Sequence, residues 1–303
     1  MIVRILGSAA GGGVPQWNCG CGNCVRARNG EAPMRTQSSI AVSADERAWL
    51  LINVSVDLAR QFAATPELWP VAARATPFAA VLLTDANVDH TAGLAELRQD
   101  PDAFVVLSTP VVKSLLVPQL AYERFDRPPH RWIACDPGGR DIAPDIDDAI
   151  AAQFEIRMVD VPGLLPGYAG RGTARGAVVA YVLRERASGA SVLAAPVFSD
   201  LDETLMEAAR ASDVVLLDGS FFSDDEMPRD GLMRKTARSL GHAPVGGVDG
   251  TLARVRGLAN RRVFVHLNNS NPVLDPASPA AQDVAAAGCE IAYDGMRISV
   301  ARV

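Results

Sequence analysis

Residues 79–94 read Ala79-Ala80-Val81-Leu82-Leu83-Thr84-Asp85-Ala86-Asn87-Val88-Asp89-His90-Thr91-Ala92-Gly93-Leu94. The run Ala79 to Leu83 is apolar and short, the pattern of a buried strand, and Thr91 to Arg98 carries a helical pattern. Asp85, Asn87, Asp89 and His90 therefore fall on a strand-to-helix loop, where each could bind a metal or a proton. Open α/β sheets place their ligands at this carboxyl edge.

Around this stretch, the chain alternates strands and helices in two rounds. Met1 to Ser8 reads as a strand, followed by the tight glycine-rich loop Gly11-Gly12-Gly13, which lacks the Gly-Lys-Ser/Thr ending of a phosphate loop. Ser38 to Ala44 and Ala48 to Val54 form a hairpin across Asp45-Glu46-Arg47. Ser55 to Leu68 is expected to be a helix with Val56, Leu58, Ala59 and Phe62 on one side. Ala103 to Leu107 is a strand and Pro110 to Leu116 a helix, and Val117 to Arg140, richer in Pro and aromatic residues than its surroundings, is expected to be a long surface loop and part of a substrate-facing lid. The order then repeats. Phe154 to Val161, Ala177 to Arg184 and Ser191 to Ala195 are strands. After them come a helix (Asp202 to Ala211), a strand (Asp213 to Leu217), a helix (Thr251 to Leu258), a strand (Arg262 to Val265), a helix (Pro276 to Ala287) and a closing strand (Glu290 to Val300). Hairpin strands first and βα units second, in each half, predict two packed sheets with helices outside.

The 303 residues are 49% hydrophobic and 21% charged, as in a soluble globular protein, and are expected to form one domain, 1–303. A net charge of -6 offers no basic field for nucleic acid. The apolar run Met1 to Leu6 is too short for a signal or a membrane span, so a cytoplasmic protein with no membrane partner is expected.

The chain has four histidines. His90 follows one strand by a loop, His266 ends Val263-Phe264-Val265, and Asp218 ends Val214-Val215-Leu216-Leu217. If these strand ends are neighbours, Asp89, His90, Asp218 and His266 converge on a site of two imidazoles with one or two carboxylates, which suits iron(II) as well as zinc. The plainer alternative makes the aspartates caps and the histidines hydrogen-bonded loop residues. Cys19, Cys21 and Cys24 form a C-x-C-x-x-C cluster able to turn three thiolates on one ion, within a loop of about residues 17–25; three free thiols is the competing reading. Cys135 and Cys289 read as packing residues. His242, in Gly241-His242-Ala243-Pro244, could face a substrate, His130 reads as surface or lid, and Asp224-Asp225-Glu226 as a solvated helix start.

Together these residues resemble the metallo-β-lactamase superfamily and, within it, the pyrroloquinoline quinone biosynthesis B family. The resemblance rests on Gly7 to Cys19, the cysteine cluster, Leu83-Thr84-Asp85 with Asp89-His90-Thr91, Asp218-Gly219, Asp224 to Met227, Gly241-His242, His266 to Pro272 and Tyr293 to Met296. It implies the four-layer αββα sandwich of the metallo-β-lactamase fold. The superfamily's motif His-x-His-x-Asp-His has Asp85 and Asn87 in place of its first two histidines here. No histidine occurs near Val159 to Pro166, and Ala195-Pro196-Val197 stands near the usual bridging aspartate. The resemblance thus implies a mononuclear site of Asp89, His90 and His266, with Asp218 as an added carboxylate, Asp85 and His242 as catalytic groups, and Asp85 steadying a ligand or handling a proton. It implies a structural zinc on Cys19, Cys21 and Cys24, with Asn269 where related phosphodiesterases place a fourth ligand. The implied activity is iron(II)- and O2-dependent hydroxylation of the tyrosine ring in a cross-linked Glu-Tyr intermediate, with zinc able to occupy the iron site in vitro. Two other expectations remain open: a metal-dependent phosphodiesterase or other hydrolase, and a carrier of the quinone or its intermediate. Assembly into a homo-oligomer is left open too.

Overall fold

The structure, a computed structural model, describes residues 1–99, 102–119, 122–170 and 172–302. In chain order the strands are β1 (Ile2–Gly7), β2 (Ser39–Ser43), β3 (Trp49–Ile52), β4 (Phe78–Leu82), β5 (Val105–Ser108), β6 (Arg131–Ala134), β7 (Phe154–Asp160), β8 (Val179–Glu185), β9 (Ser191–Ala195), β10 (Val214–Asp218), β11 (Arg261–Val265), β12 (Cys289–Ile291) and β13 (Arg297–Ser299). They form a seven-stranded sheet, β13-β1-β2-β3-β4-β5-β6, and a six-stranded sheet, β12-β11-β10-β9-β8-β7. In each sheet the hairpin strands pair antiparallel, and the strands that follow pair parallel through helical crossovers.

Alternation along each strand produces the layers, because side chains at i and i+2 share a face. Ile5, Ile40, Leu50, Leu82 and Leu107 of the first sheet meet Ile156, Tyr181, Leu183, Val192, Leu216 and Val263 of the second in the central core. The intervening residues face outward. Ala41, Leu51, Val81 and Val106 pack under Leu58, Leu94, Val112 and Leu116. On the other side, Leu193, Val215, Leu217 and Phe264 pack under Leu205, Met206, Leu252, Val255 and Val284. The result is the expected αββα sandwich.

Three expectations need correction. The helix expected over Ser55 to Leu68 is Leu58–Ala63, followed by a 3-10 turn, Pro66–Leu68. It buries Leu58 and Gln61, while Val56 and Ala59 are exposed. Gln61 is inside because its Nε2 donates to Thr36 Oγ1, Gln37 O and Ser55 Oγ, satisfying groups where three segments meet. Val117 to Arg140 is not a lid: its described residues hold the end of a helix, a 3-10 turn and β6, and His130 is buried against Phe104 and Phe125. The aromatic residues that suggested a loop fill the core under the first sheet. The closing strand, expected as one, is two, β12 in one sheet and β13 in the other. Gly295, at φ 81, turns the chain between them, and the Asp294 carboxylate fixes the turn by accepting from Ser8 and Thr36. No helix among the described residues is long and apolar enough to cross a membrane.

Close backbone approach holds the motif loop in place. Gly93 N donates to Val54 O at 3.0 Å, and a Cβ on Gly93 would stand 2.3 Å from Ser55 O. Neither neighbour is a flexible side chain, so Gly93→Ala should cost about 1–3 kcal/mol through overpacking. Urea unfolding of the variant measures this cost, and an unchanged midpoint would contradict the packing described.

Candidate metal centre

β4, β10 and β11 all end at one rim, where their loops carry the polar residues. After β4, Asp85 is fully buried. Its Oδ1 accepts the N–H and side-chain amide of Asn87, each at 2.8 Å, and its Oδ2 accepts from Thr84 Oγ1 at 2.8 Å and His90 Nδ1 at 2.7 Å. Asn53, at φ 60, locks this turn by accepting the Thr84 N–H and donating to Thr84 Oγ1. With Nδ1 held, His90 presents Nε2, a buried nitrogen with no hydrogen-bond partner, 3.9 Å from Asp89 Oδ2.

His266 reaches the same point from β11. It sits at φ 58, a left-handed conformation uncommon for a residue other than glycine, and such strain is stored where it aims a side chain. Its Nδ1 is 2.7 Å from Ser220 Oγ, and its Nε2 is 3.3 Å from Asp89 Oδ2. The ligand atoms of Asp89, His90 and His266 lie within 4.8 Å of one another. This is a two-histidine, one-carboxylate set, each imidazole aimed by a partner on its far nitrogen. An orphaned, buried Nε2 beside a carboxylate fits a metal ligand.

A second group shares His266. Asp218, His242 and His266 also bring their ligand atoms within 4.8 Å of one another, with the rings of His242 and His266 stacked at 5.5 Å. Asp218 is buried at the end of β10. Its Oδ1 accepts the N–H and Oγ–H of Ser220, and its Oδ2 meets His242 Nδ1 at 2.7 Å and the Phe198 N–H at 3.3 Å. Of the residues expected at the site, Asp89, His90 and His266 thus form one cluster, with Asp218 and His242 beside it. Asp85 stands behind His90 instead of facing a ligand. Ser220, which touches both His242 and His266, had no sequence signal beyond following Asp218-Gly219.

Electrostatics favour a cation here. Burial opposes charge on His90, but Asp85 and Asp89 outweigh it and hold the imidazolium up to about 9. Burial likewise opposes ionisation of Asp89, yet His90 and His266 hold its carboxyl below the ordinary range. The surplus carboxylate that holds the His90 proton is what a divalent ion would complement once it displaced that proton from the imidazole. The cluster opens into a cleft of about 240 Å³ lined by Ala10, Gly11, Asn87, Leu164 to Gly167, Phe221 and Asn268 among others, with no lysine or arginine among the described residues that line it. The glycine-rich loop contributes here by close approach: a Cβ on Gly11 would lie 3.1 Å from Asp89 Oδ2.

The cysteine loop docks next to this cleft. The three Sγ atoms lie within 4.8 Å of one another, and the Asn269 side-chain nitrogen is 3.1, 3.5 and 3.4 Å from Cys19, Cys21 and Cys24. Asn23 Nδ2 donates to the carbonyls of Asn269 and Asn271, tying the loop to the residues after β11. Burial pushes the Cys24 thiol up to about 11. For Cys21, burial is outweighed by hydrogen bonds from Cys24, Cys19 and Asn269, and its pKa is lowered. Three thiols converging on one point fit a thiophilic ion. Cys135 and Cys289 are buried elsewhere in the core.

Glu226 corrects the expectation of a solvated acidic run, because it is fully buried. Its carboxyl accepts from the Phe222 N–H and from Ser270 Oγ, yet burial pushes it up to about 7. The folded state therefore holds this proton more tightly than the unfolded one. Stability from this group is fully present below the unfolded pKa and lost as pH rises through about 7, by roughly 2–4 kcal/mol. Glu226→Gln should flatten that fall, so comparing urea midpoints of the two proteins at pH 5 and pH 8 checks it.

Two packed mixed sheets with a cluster of imidazoles and carboxylates at the strand ends define a protein of the β-lactamase superfamily, and the model of the β-lactamase superfamily domain matches residues 48–267. Coenzyme PQQ synthesis protein B of Azoarcus sp. (strain BH72) is 38% identical over 307 residues, spanning 99% of this chain and 100% of that protein. The protein of the same name from Klebsiella pneumoniae is 36% identical over 308 residues, spanning 99% and 98%. The crystal structure of Zn(2+)-bound PqqB from Methylobacterium extorquens superposes with a TM-score of 0.91 at 34% identity, covering 99% of this chain and 100% of that one. A diphosphatase of the PhnP family, 18% identical with a TM-score of 0.66 over 98% and 97% of the chains, shares the fold. The chain belongs to the coenzyme PQQ synthesis protein B family.

Proposed function

We propose that this protein is a metal-dependent enzyme of PQQ synthesis that hydroxylates the tyrosine ring of a cross-linked Glu-Tyr intermediate, using iron(II), O2 and a two-electron reductant, so that one oxygen atom enters the ring and the other leaves as water. The observation that carries the reading is the set Asp89, His90 Nε2 and His266 Nε2, with Asp85 and Ser220 fixing the far nitrogens. Iron(II) held by two histidines and one carboxylate keeps coordination positions open and supplies the activation of dioxygen. The chain's own residues orient and shield. Asp85 and Ser220 keep the two Nε2 atoms aimed at one point, and Asp89 completes the set. Leu164, Leu165, Pro166 and Phe221 wall the cleft with apolar surface that suits an aromatic ring. Asp218 holds His242 on the same wall, where its imidazole, raised against burial by Asp218, is placed to give or take a proton. Cys19, Cys21 and Cys24 hold a structural zinc in this reading, with Asn269 over the thiolates. In a flipped orientation the Asn269 amide would offer its oxygen as fourth ligand.

A hydrolase with two ions is the second reading, favoured by the Asp218, His242, His266 group beside the first. The cleft's described lining, without lysine or arginine, speaks against a phosphodiester substrate. A cytoplasmic location and function without nucleic-acid or membrane partners belong to the same proposal. Anaerobic reconstitution with iron(II), then O2, ascorbate as reductant and the cross-linked diamino acid, with mass spectrometry of the product, tests it. The expected result is a gain of whole oxygen atoms with one active-site ion per chain. No gain with any metal, or two catalytic ions and hydrolysis, would overturn it.

A further inference from the structure

Asn268 lines the cleft alongside His242 and His266, and its amide is held from behind. Nδ2 donates to Ser270 Oγ at 2.5 Å and to Met227 Sδ at 3.5 Å. Ser270 Oγ donates to Glu226 Oε1, while Glu226 Oε2 accepts the Phe222 N–H at 2.9 Å. Both ends of this chain are inside the protein, Glu226 at 0% and Asn268 at 8% exposure. Its direction follows from counting protons. Above a pH of about 7 Glu226 is ionised and only accepts, so there the single hydroxyl proton of Ser270 goes to Glu226, and Ser270 turns lone pairs toward Asn268. Asn268 must then direct its NH2 group inward, as the thioether sulfur of Met227 also requires. Its backbone N–H is spent on Ser220 O at 3.1 Å, and its carbonyl accepts the Asn271 N–H at 3.0 Å. The amide oxygen is what remains for a ligand.

The geometry points to Asn268 as a specificity-determining residue: the Glu226–Ser270 pair locks its amide so that the oxygen meets substrate as an acceptor for a protonated amine. This rests on the proposed amine-bearing substrate, and it deepens that reading by assigning the group that receives the amine. A free asparagine could turn either face to a ligand, losing both orientation and selectivity. Glu226 and Ser270 do not line the cleft; they position.

The test compares two probes of one shape, tyramine and 4-ethylphenol, titrated calorimetrically into the full chain with its metals bound, without oxygen, at pH 8. Tyramine should bind at least tenfold more tightly. Asn268→Leu should cut that advantage at least fivefold, and Ser270→Ala at least threefold, whereas Ser270→Thr, which keeps the hydroxyl, should restore it. Circular dichroism confirms that each variant is folded. Equal affinities for the two probes, no binding of either, or an advantage unchanged in Asn268→Leu would overturn the assignment. Because no turnover is measured, a protein that selects tyramine but never hydroxylates would refute only the proposed reaction. One that hydroxylates without selecting tyramine would refute only the role of Asn268.

Discussion

His90→Ala should lose the active-site ion, all detectable turnover and about 3 kcal/mol of stability at neutral pH. The stability loss comes from Asp85. Both side chains of this pair are at 0% exposure, 2.7 Å apart, so removing the imidazole leaves a carboxylate in the interior with hydrogen bonds but no counter-charge. Breaking a buried pair on one side costs about 3–5 kcal/mol, and the donors that remain from Thr84 and Asn87 favour the lower end. The double variant His90→Ala/Asp85→Asn should recover most of the stability and none of the metal. Denaturant unfolding with metal analysis separates the two effects, and a double variant no more stable than the single one would contradict the pairing. The pH dependence of the metal-free protein is a companion measurement. His90 is raised to about 9 in the fold, so its contribution is complete below the unfolded histidine pKa and is lost as pH rises through about 9, on the order of 3 kcal/mol. Asp85 is lowered in the fold, so its contribution is present above the unfolded carboxyl pKa and is lost only as pH falls through its folded value. Stability of the chelated protein should therefore fall from pH 6.5 to 9, and bound metal, which needs neutral imidazole, should abolish that fall.

Cys24→Ser should have the second large effect. Cys24 is at 0% exposure at the centre of the thiol cluster, and Gln16 N donates to its sulfur at 3.4 Å. Losing one of three thiolates removes most of the affinity for a structural zinc, whose binding energy is folding energy for the loop that holds it. The loop follows Ala10 and Gly11, which line the cleft, across the short segment Gly12 to Gln16, and Asn23 ties it to the residues that follow His266. The expected outcome is one ion fewer per chain, rapid proteolysis at Arg26 and Arg28, and turnover reduced about 10–100-fold, the usual cost of losing support behind a metal site. Full zinc content and intact protease resistance in the variant would show that the cluster holds no structural ion.

The local features were legible because they are written in short-range pattern. Apolar runs at Ala79 to Leu83 and Val214 to Leu217 became β4 and β10, and the polar residues after them became the site's loops. The aromatic segment Val117 to Arg140 misled because composition does not say which side of a sheet a residue packs against. Glu226 misled because a run of three acids carries no record of Ser270, 44 residues away, waiting to receive one of them.

By itself the sequence determined the strand and helix alternation, the placing of Asp89, His90, Asp218 and His266 at strand ends, and the convergence of three cysteines in one loop. Those follow from neighbours a few residues apart. Only the tertiary structure decided which nitrogen each imidazole presents, that Asp85 and Ser220 aim His90 and His266, that Asp218 holds His242, and that Glu226 is buried behind Asn268. Each of these depends on hydrogen bonds between strand ends and loops that chain folding brings together, and parallel pairing of β10 with β11 is what sets Asp218 beside His266. Imidazole has two nitrogens of similar chemistry, and only a partner fixed in space can tell them apart.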